Sequence, residues 1–83
     1  MKVRYFAWVR ERVGRAEEDI EIPVGVASVA DLIAWLSGRD QGYAAAFAEP
    51  RVIRAALDHD HVEHATPLGK AREVAFFPQM TGG

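Results

Sequence analysis

Glu73-Val74-Ala75-Phe76-Phe77-Pro78-Gln79-Met80-Thr81-Gly82-Gly83 closes the sequence, and its reading organises everything before it. Val74 and Phe76 fall on one face and Ala75 and Phe77 on the other, the period-two pattern of a strand. Pro78 has no N–H to give to a ladder and ends it. The terminal Gly82-Gly83 has nothing following it to turn, and glycine carries the largest ordering entropy, so the pair adds little to a fold. A strand that runs into such a tail points to a domain over residues 1–78 with a flexible extension over 79–83.

Working outward, Lys2 to Val9 alternates in the same way. Val3, Tyr5, Ala7 and Val9 share one face, and Lys2, Arg4, Phe6 and Trp8 the other, which predicts a first strand. A polar link closing on Gly14 leads to a second strand over Glu17 to Ile22, paired with the first and stopped at Pro23. Ser28-Val29-Ala30-Asp31 opens the clearest helix. Ser28 can cap free N–H groups, Asp31 can return a bond to Ser28, and Val29, Leu32, Ile33 and Leu36 form one apolar stripe ending near Gly38. Tyr43 to Glu49 reads as a short second helix ended by Pro50. Val52 to Leu57 is a further strand, turned at Asp58-His59-Asp60, with a short return around His61-Val62. The pattern is α+β: a mixed sheet with one main helix on one face. Phe6, Trp8 and Phe77 on the uncovered face would make an apolar patch of the kind that marks a partner site.

Composition narrows the possible functions. The chain has 83 residues and a mass of 9.2 kDa, 49% hydrophobic and 27% charged. That length supports one core, and seldom an enclosed substrate pocket of roughly 300 Å³ or more. With no cysteine, disulfides, thiolate metal sites and cysteine nucleophiles are excluded, and a reducing cytosolic setting is expected. A net charge of −2 and a pI near 5.9 argue against nucleic acid held by phosphate neutralisation. No apolar run approaches the ~20 residues of a membrane span. His59, His61 and His64 lie near Asp58 and Asp60, but a tight turn would separate them, so they are expected to be solvated rather than metal ligands. Arg51 and Arg54 are read as surface residues, the alternative being that they line the open face and contact a partner. No catalytic constellation is visible within the domain.

The tail supplies what the domain lacks. Six residues from Pro78 to Gly83 reach roughly 20 Å, enough to thread a carboxylate into a site on another protein. Glycines without Cβ pass a channel where side chains would clash. Immobilising them costs on the order of 6–12 kcal/mol, which a docking face must offset. A carboxylate is a poor electrophile until it is adenylated with ATP; a sulfur donor can then displace AMP and leave a thiocarboxylate.

The closing stretch resembles the C-terminal signature of the molybdopterin synthase small-subunit family. Val3-Arg4-Tyr5-Phe6-Ala7 and Val9-Arg10-Glu11 are similar to that family's opening. The resemblance implies a ubiquitin-like β-grasp fold with the first and last strands as parallel neighbours at the sheet centre. It implies that Gly83, with Gly82 before it, is adenylated by an activating enzyme using ATP and magnesium, and then carries sulfur as a thiocarboxylate. No tightly bound cofactor or metal is expected on this chain. The implied partners are the activating enzyme, a sulfur donor and the synthase large subunit, where sulfur passes to cyclic pyranopterin monophosphate. Phe6, Phe77, Pro78, Gln79, Met80 and Thr81 are the implied partner-binding residues. Four positions depart from the family pattern: Gln79 replaces a frequent second proline, Leu57-Asp58 a common Val-Asn pair, and His61 an apolar contact residue. Carriers of thiamine or other sulfur pathways, a protein modifier joined through Gly83, and a pure interaction domain are the alternatives.

Overall fold

In the computed structural model, which describes residues 1–79, five strands form one mixed sheet with three helices packed against one face. The strands are β1 (Lys2–Tyr5), β2 (Glu17–Asp19), β3 (Ile53–Leu57), β4 (Asp60–Val62) and β5 (Glu73–Pro78). The helices are α1 (Ala7–Val13), α2 (Val29–Ser37) and α3 (Gln41–Ala46), and a 3-10 turn, Pro50–Val52, leads into β3. The sheet order is β2-β1-β5-β3-β4. β1 and β5 are parallel neighbours with Tyr5 opposite Phe76, and the other three pairings are antiparallel. This is the ubiquitin-like β-grasp that the resemblance implies.

The strand periodicity becomes burial directly. Val3, Tyr5, Val74 and Phe76 are buried on the helix side with Ile53, Ala55 and Leu57. The α2 stripe of Val29, Leu32, Ile33 and Leu36 closes over them, joined by Val9, Tyr43 and Phe47. Each large side chain buried this way contributes about 1.5–3 kcal/mol. Phe47 meets Phe76 edge-on at 5.2 Å between ring centroids, which seats α3's end on the central strand.

α2 begins as its first turn dictates. The Asp31 N–H donates to Ser28 Oγ at 3.1 Å, while Asp31 Oδ2 accepts from the Ser28 and Ala27 N–H groups at 3.2 and 3.0 Å. Those two backbone donors hold the Asp31 carboxyl below the usual carboxylate range. Ser28→Ala should therefore lower stability by about 1 kcal/mol without changing the spectrum of the native state. Chemical denaturation checks this, and an unchanged midpoint would show the box to be dispensable.

Three boundaries differ from the sequence expectation. The second strand ends at Asp19 rather than Ile22, because its pairing with β1 runs only from Arg4 opposite Glu17 to Lys2 opposite Asp19, at the start of β1. The first strand stops at Tyr5 rather than Val9: Ala7 takes a φ of 53° and the chain winds into α1. The alternation over Val3 to Val9 is degenerate, because Tyr5, Val9 and Val13 also fall at helical i, i+4 spacing. Val9 is fully buried in α1, and Gly14 closes the helix with a φ of 92° and an N–H bond to the Arg10 carbonyl at 2.8 Å. The second short helix runs over Gln41–Ala46 instead of Tyr43 to Glu49, started by Asp40, whose Oδ1 accepts from the Gly42 and Tyr43 N–H groups. Gly42 lies so close to α1 that a Cβ would meet the Arg12 carbonyl oxygen at 2.6 Å. The β3–β4 turn falls where expected. Asp58 and His59 both have positive φ, as a two-residue hairpin of this twist requires.

Glu18, opposite Val3 in β2, faces inward and ties the sheet edge to α3. Its Oε2 accepts from the Tyr5 and Tyr43 hydroxyls at 2.7 and 2.5 Å, and its Oε1 meets Arg15 and Arg39 at 3.2 and 3.0 Å. Burial alone would push this carboxyl up. The bonds from Tyr43, Tyr5 and Arg39, with the Arg39 charge, outweigh it and hold the carboxyl below its usual range. Burial and then the Glu18 acceptor push the Tyr5 hydroxyl well above its ordinary value and raise that of Tyr43 as well.

Candidate functional site

The face of the sheet away from the helices carries the alternate residues of each strand. Lys2 and Arg4 of β1 stand beside Glu17 and Asp19 of β2 on one side and Glu73 and Ala75 of β5 on the other. Arg54 and Ala56 of β3 pair with Phe77 and Ala75, and His61 of β4 pairs with Ala56. Among the described residues no helix packs on this face: the α2 stripe buries its apolar residues against the other one.

Phe6 and Phe77 both lie on this side of the sheet. Phe6 follows Tyr5, its N–H donates to the Phe76 carbonyl at 3.1 Å, and its ring is 42% exposed. One register step past the Tyr5–Phe76 pair, Phe77 is half-buried. The Arg4 guanidinium lies 5.6 Å from the Phe6 ring, and the His61 ring 5.1 Å from Phe77. His61 of β4 thus packs its ring on Phe77.

Trp8 does not join them. The helix that replaces the end of the first strand carries it off the sheet, where the Arg12 guanidinium sits 4.3 Å over its ring. It lines a groove of about 410 Å³ with Ala45, Ala46, Val52 and Gln79. Trp8 therefore flanks the tail root from the helix side while Phe77 flanks it from the open face. The expected three-aromatic patch is a pair.

The tail root itself is well anchored. Pro78 is opposite Ile53 in the ladder, and the Gln79 N–H donates to the Val52 carbonyl at 2.8 Å. Gln79 is exposed. Met80, Thr81, Gly82 and Gly83 lie outside the described residues. From Gln79 onward four residues span at most about 14 Å when extended.

The histidines point to separate partners. His59 Nε2 is 3.9 Å from Glu73, His61 stacks on Phe77, and His64 Nε2 bonds the Ile53 carbonyl at 2.8 Å. Among the described residues no three His, Asp or Glu side chains converge on one point, and no helix is long and apolar enough to cross a membrane. The Gly42 contact and the Glu18 hub were missed by sequence reading, since both are long-range partnerships with no local signature.

Comparison with known proteins agrees with the fold and with the closing motif. The sequence profile of the ThiS family matches residues 3–83. Over 83 residues the chain is 34% identical to the molybdopterin synthase sulfur carrier subunit of Escherichia coli strain K12, covering 100% of this chain and 99% of that one. SAMP1 from Haloferax volcanii superposes with a TM-score of 0.70 at 22% identity, over 100% of this chain and 98% of that one, a likeness of fold. A Pyrococcus furiosus protein assigned as molybdopterin converting factor, subunit 1, gives a TM-score of 0.66 at 25% identity over 95% of each chain. From its parallel central strands to its Gly-Gly end, the chain belongs to the ThiS family.

Proposed function

We propose that this protein is a sulfur carrier of molybdenum cofactor biosynthesis, acting as the small subunit of a molybdopterin synthase. The observation that carries this reading is end-to-end similarity to a molybdopterin synthase sulfur carrier subunit, in a chain whose Phe-Phe-Pro leads to Gly82-Gly83. An activating enzyme using ATP and magnesium adenylates the Gly83 carboxylate, releasing pyrophosphate. A sulfur donor displaces AMP, and the thiocarboxylate is ionised and nucleophilic at neutral pH. The large subunit then receives the tail and passes the sulfur to cyclic pyranopterin monophosphate. The domain's own task is to hold Pro78 and Gln79 at a defined exit while the open face docks. Catalytic groups and nucleotide belong to the partners.

Tandem mass spectrometry tests the central step. Protein incubated with ATP, magnesium, the activating enzyme and a sulfur source should carry sulfur in place of oxygen on Gly83. The fragment must localise it, since oxidation of Met1 or Met80 adds nearly the same mass. An unmodified terminus beside a competent activating enzyme would return the chain to a pure interaction role. Product identity separates the nearest rival, a carrier for thiamine synthesis, because only the synthase large subunit should accept the charged tail.

Docking through Phe77 has its own test. Phe77→Asp puts a carboxylate on the open face and should weaken large-subunit binding by about 30-fold, the loss typical of a central aromatic anchor. Because Phe77 lies outside the core, the melting temperature should move little. Unchanged affinity in a titration would remove this face from the interface.

A further inference from the structure

The open face is electrically divided. Toward β2 it is self-neutralised: Lys2 and Arg4 reach Glu17 at 3.3 and 3.8 Å, Arg4 also reaches Glu73 at 3.8 Å, and His59 approaches the same Glu73. At the tail root the pattern stops. Arg51 and Arg54 are both exposed, and among the described residues no carboxylate lies within ion-pair distance of either. Arg54 stands opposite Phe77, and with His61, Phe77 and Pro78 it lines a notch of about 200 Å³. An adjoining depression brings Arg51, His64 and Glu63 to the other side of Arg54.

We propose that this notch receives a carboxylate side chain from an acidic segment of the protein that accepts the tail, with Arg54 as its ion-pairing partner. The inference rests on the carrier reading above and adds to it a chemical identity for the opposing surface. A chain of net charge −2 does not place uncompensated guanidinium groups at its tail exit through general basicity. Once a partner covers Phe77, Arg54 loses water, and a desolvated cation with no counter-charge opposes binding. A carboxylate opposite it converts that penalty into a directional bond, because the guanidinium fork matches two carboxylate oxygens. Phe77 and Pro78 offer an apolar floor for the methylenes of such a side chain. A nucleic-acid backbone fits less well, since Glu17, Asp19 and Glu73 share the same face.

The experiment measures affinity of the full-length protein for the synthase large subunit from the same source, in 50 and 300 mM salt. Arg54→Glu should weaken binding roughly tenfold at low salt, and Arg54→Ala by less, with a flatter salt dependence in both. Lys70→Glu, exposed before the opposite end of β5, should bind as the wild type does. A lysine substitution at one partner carboxylate that restores binding to Arg54→Glu would identify the mate. If Arg54→Glu binds normally while Phe77→Asp does not, the inference is overturned and the carrier reading stands. If the unaltered protein binds no large subunit, both fall. A salt-sensitive dimer abolished by Arg54→Glu, with large-subunit affinity unchanged, would assign the notch to a second copy and overturn the proposal.

Discussion

Removing Gly82 and Gly83 is expected to bring sulfur transfer down to background while the domain melts as before. The truncated chain would end on Thr81, drawing the reacting carboxylate back by about 7 Å and placing a β-branched side chain where the proposed threading of the tail calls for glycine. Misplacement by 1 Å can already cost about a hundredfold in rate, so a shift of this size leaves no productive geometry. Stability should change by under about 0.5 kcal/mol, because the two glycines bring no side chain to the core. The decisive comparison is single-turnover product formation, beside a thermal melt, for the truncated and complete proteins in the reconstituted synthase. Retained transfer would show that the terminus is inert and would favour the interaction-domain reading.

Glu18→Gln is expected to lower stability by about 2–3 kcal/mol at pH 7, the usual worth of hydrogen bonds to a charged acceptor that is largely shielded. In a domain of this size that corresponds to a melting temperature lower by roughly 10–20 °C. The tyrosine bonds account for most of it: Arg15 is 53% exposed and Arg39 32%, so solvent weakens both ion pairs. The pH dependence has a definite sign. Glu18's carboxyl is depressed in the folded protein, so its stabilisation is fully present above the unfolded value, about 4.3, and fades as pH falls through the lower folded value. The gap between wild type and variant should therefore begin to close once the pH falls below the unfolded value and narrow further as acid is added. Denaturant titrations at pH 7, 5, 4 and 3 would reveal it. A difference that stays constant across that series would mean that packing, and not charge, holds β2 to α3.

The parts of the site that the sequence made legible share one property: each is carried by neighbours along the chain. The β5 alternation placed Phe77 on the open face and Phe76 in the core, and the Ser28–Asp31 spacing placed the start of α2. The closing motif pointed to the family before any geometry was known. Trp8 was misplaced because an alternating run of β-formers satisfies strand and helix periodicities at once. The choice between them falls to burial of Val9 beneath the sheet, a contact no local window contains.

By itself, then, the sequence determined the α+β class, the Ser28 cap of α2, the order of strands along the chain and the closing Gly-Gly pair, since these follow from periodicity, proline and glycine chemistry and short-range hydrogen bonds. Only the tertiary structure decided that the first strand yields to a helix at Ala7, that Gly42 must lack a side chain beside Arg12, and that Glu18 binds two tyrosines far along the chain. It also decided that Arg54, with no carboxylate of the described residues within ion-pair distance, stands beside Phe77 at the root of the tail. Each of these depends on which distant segments share a surface, and that is settled by packing one sheet against three helices, not by any residue's neighbours in the chain.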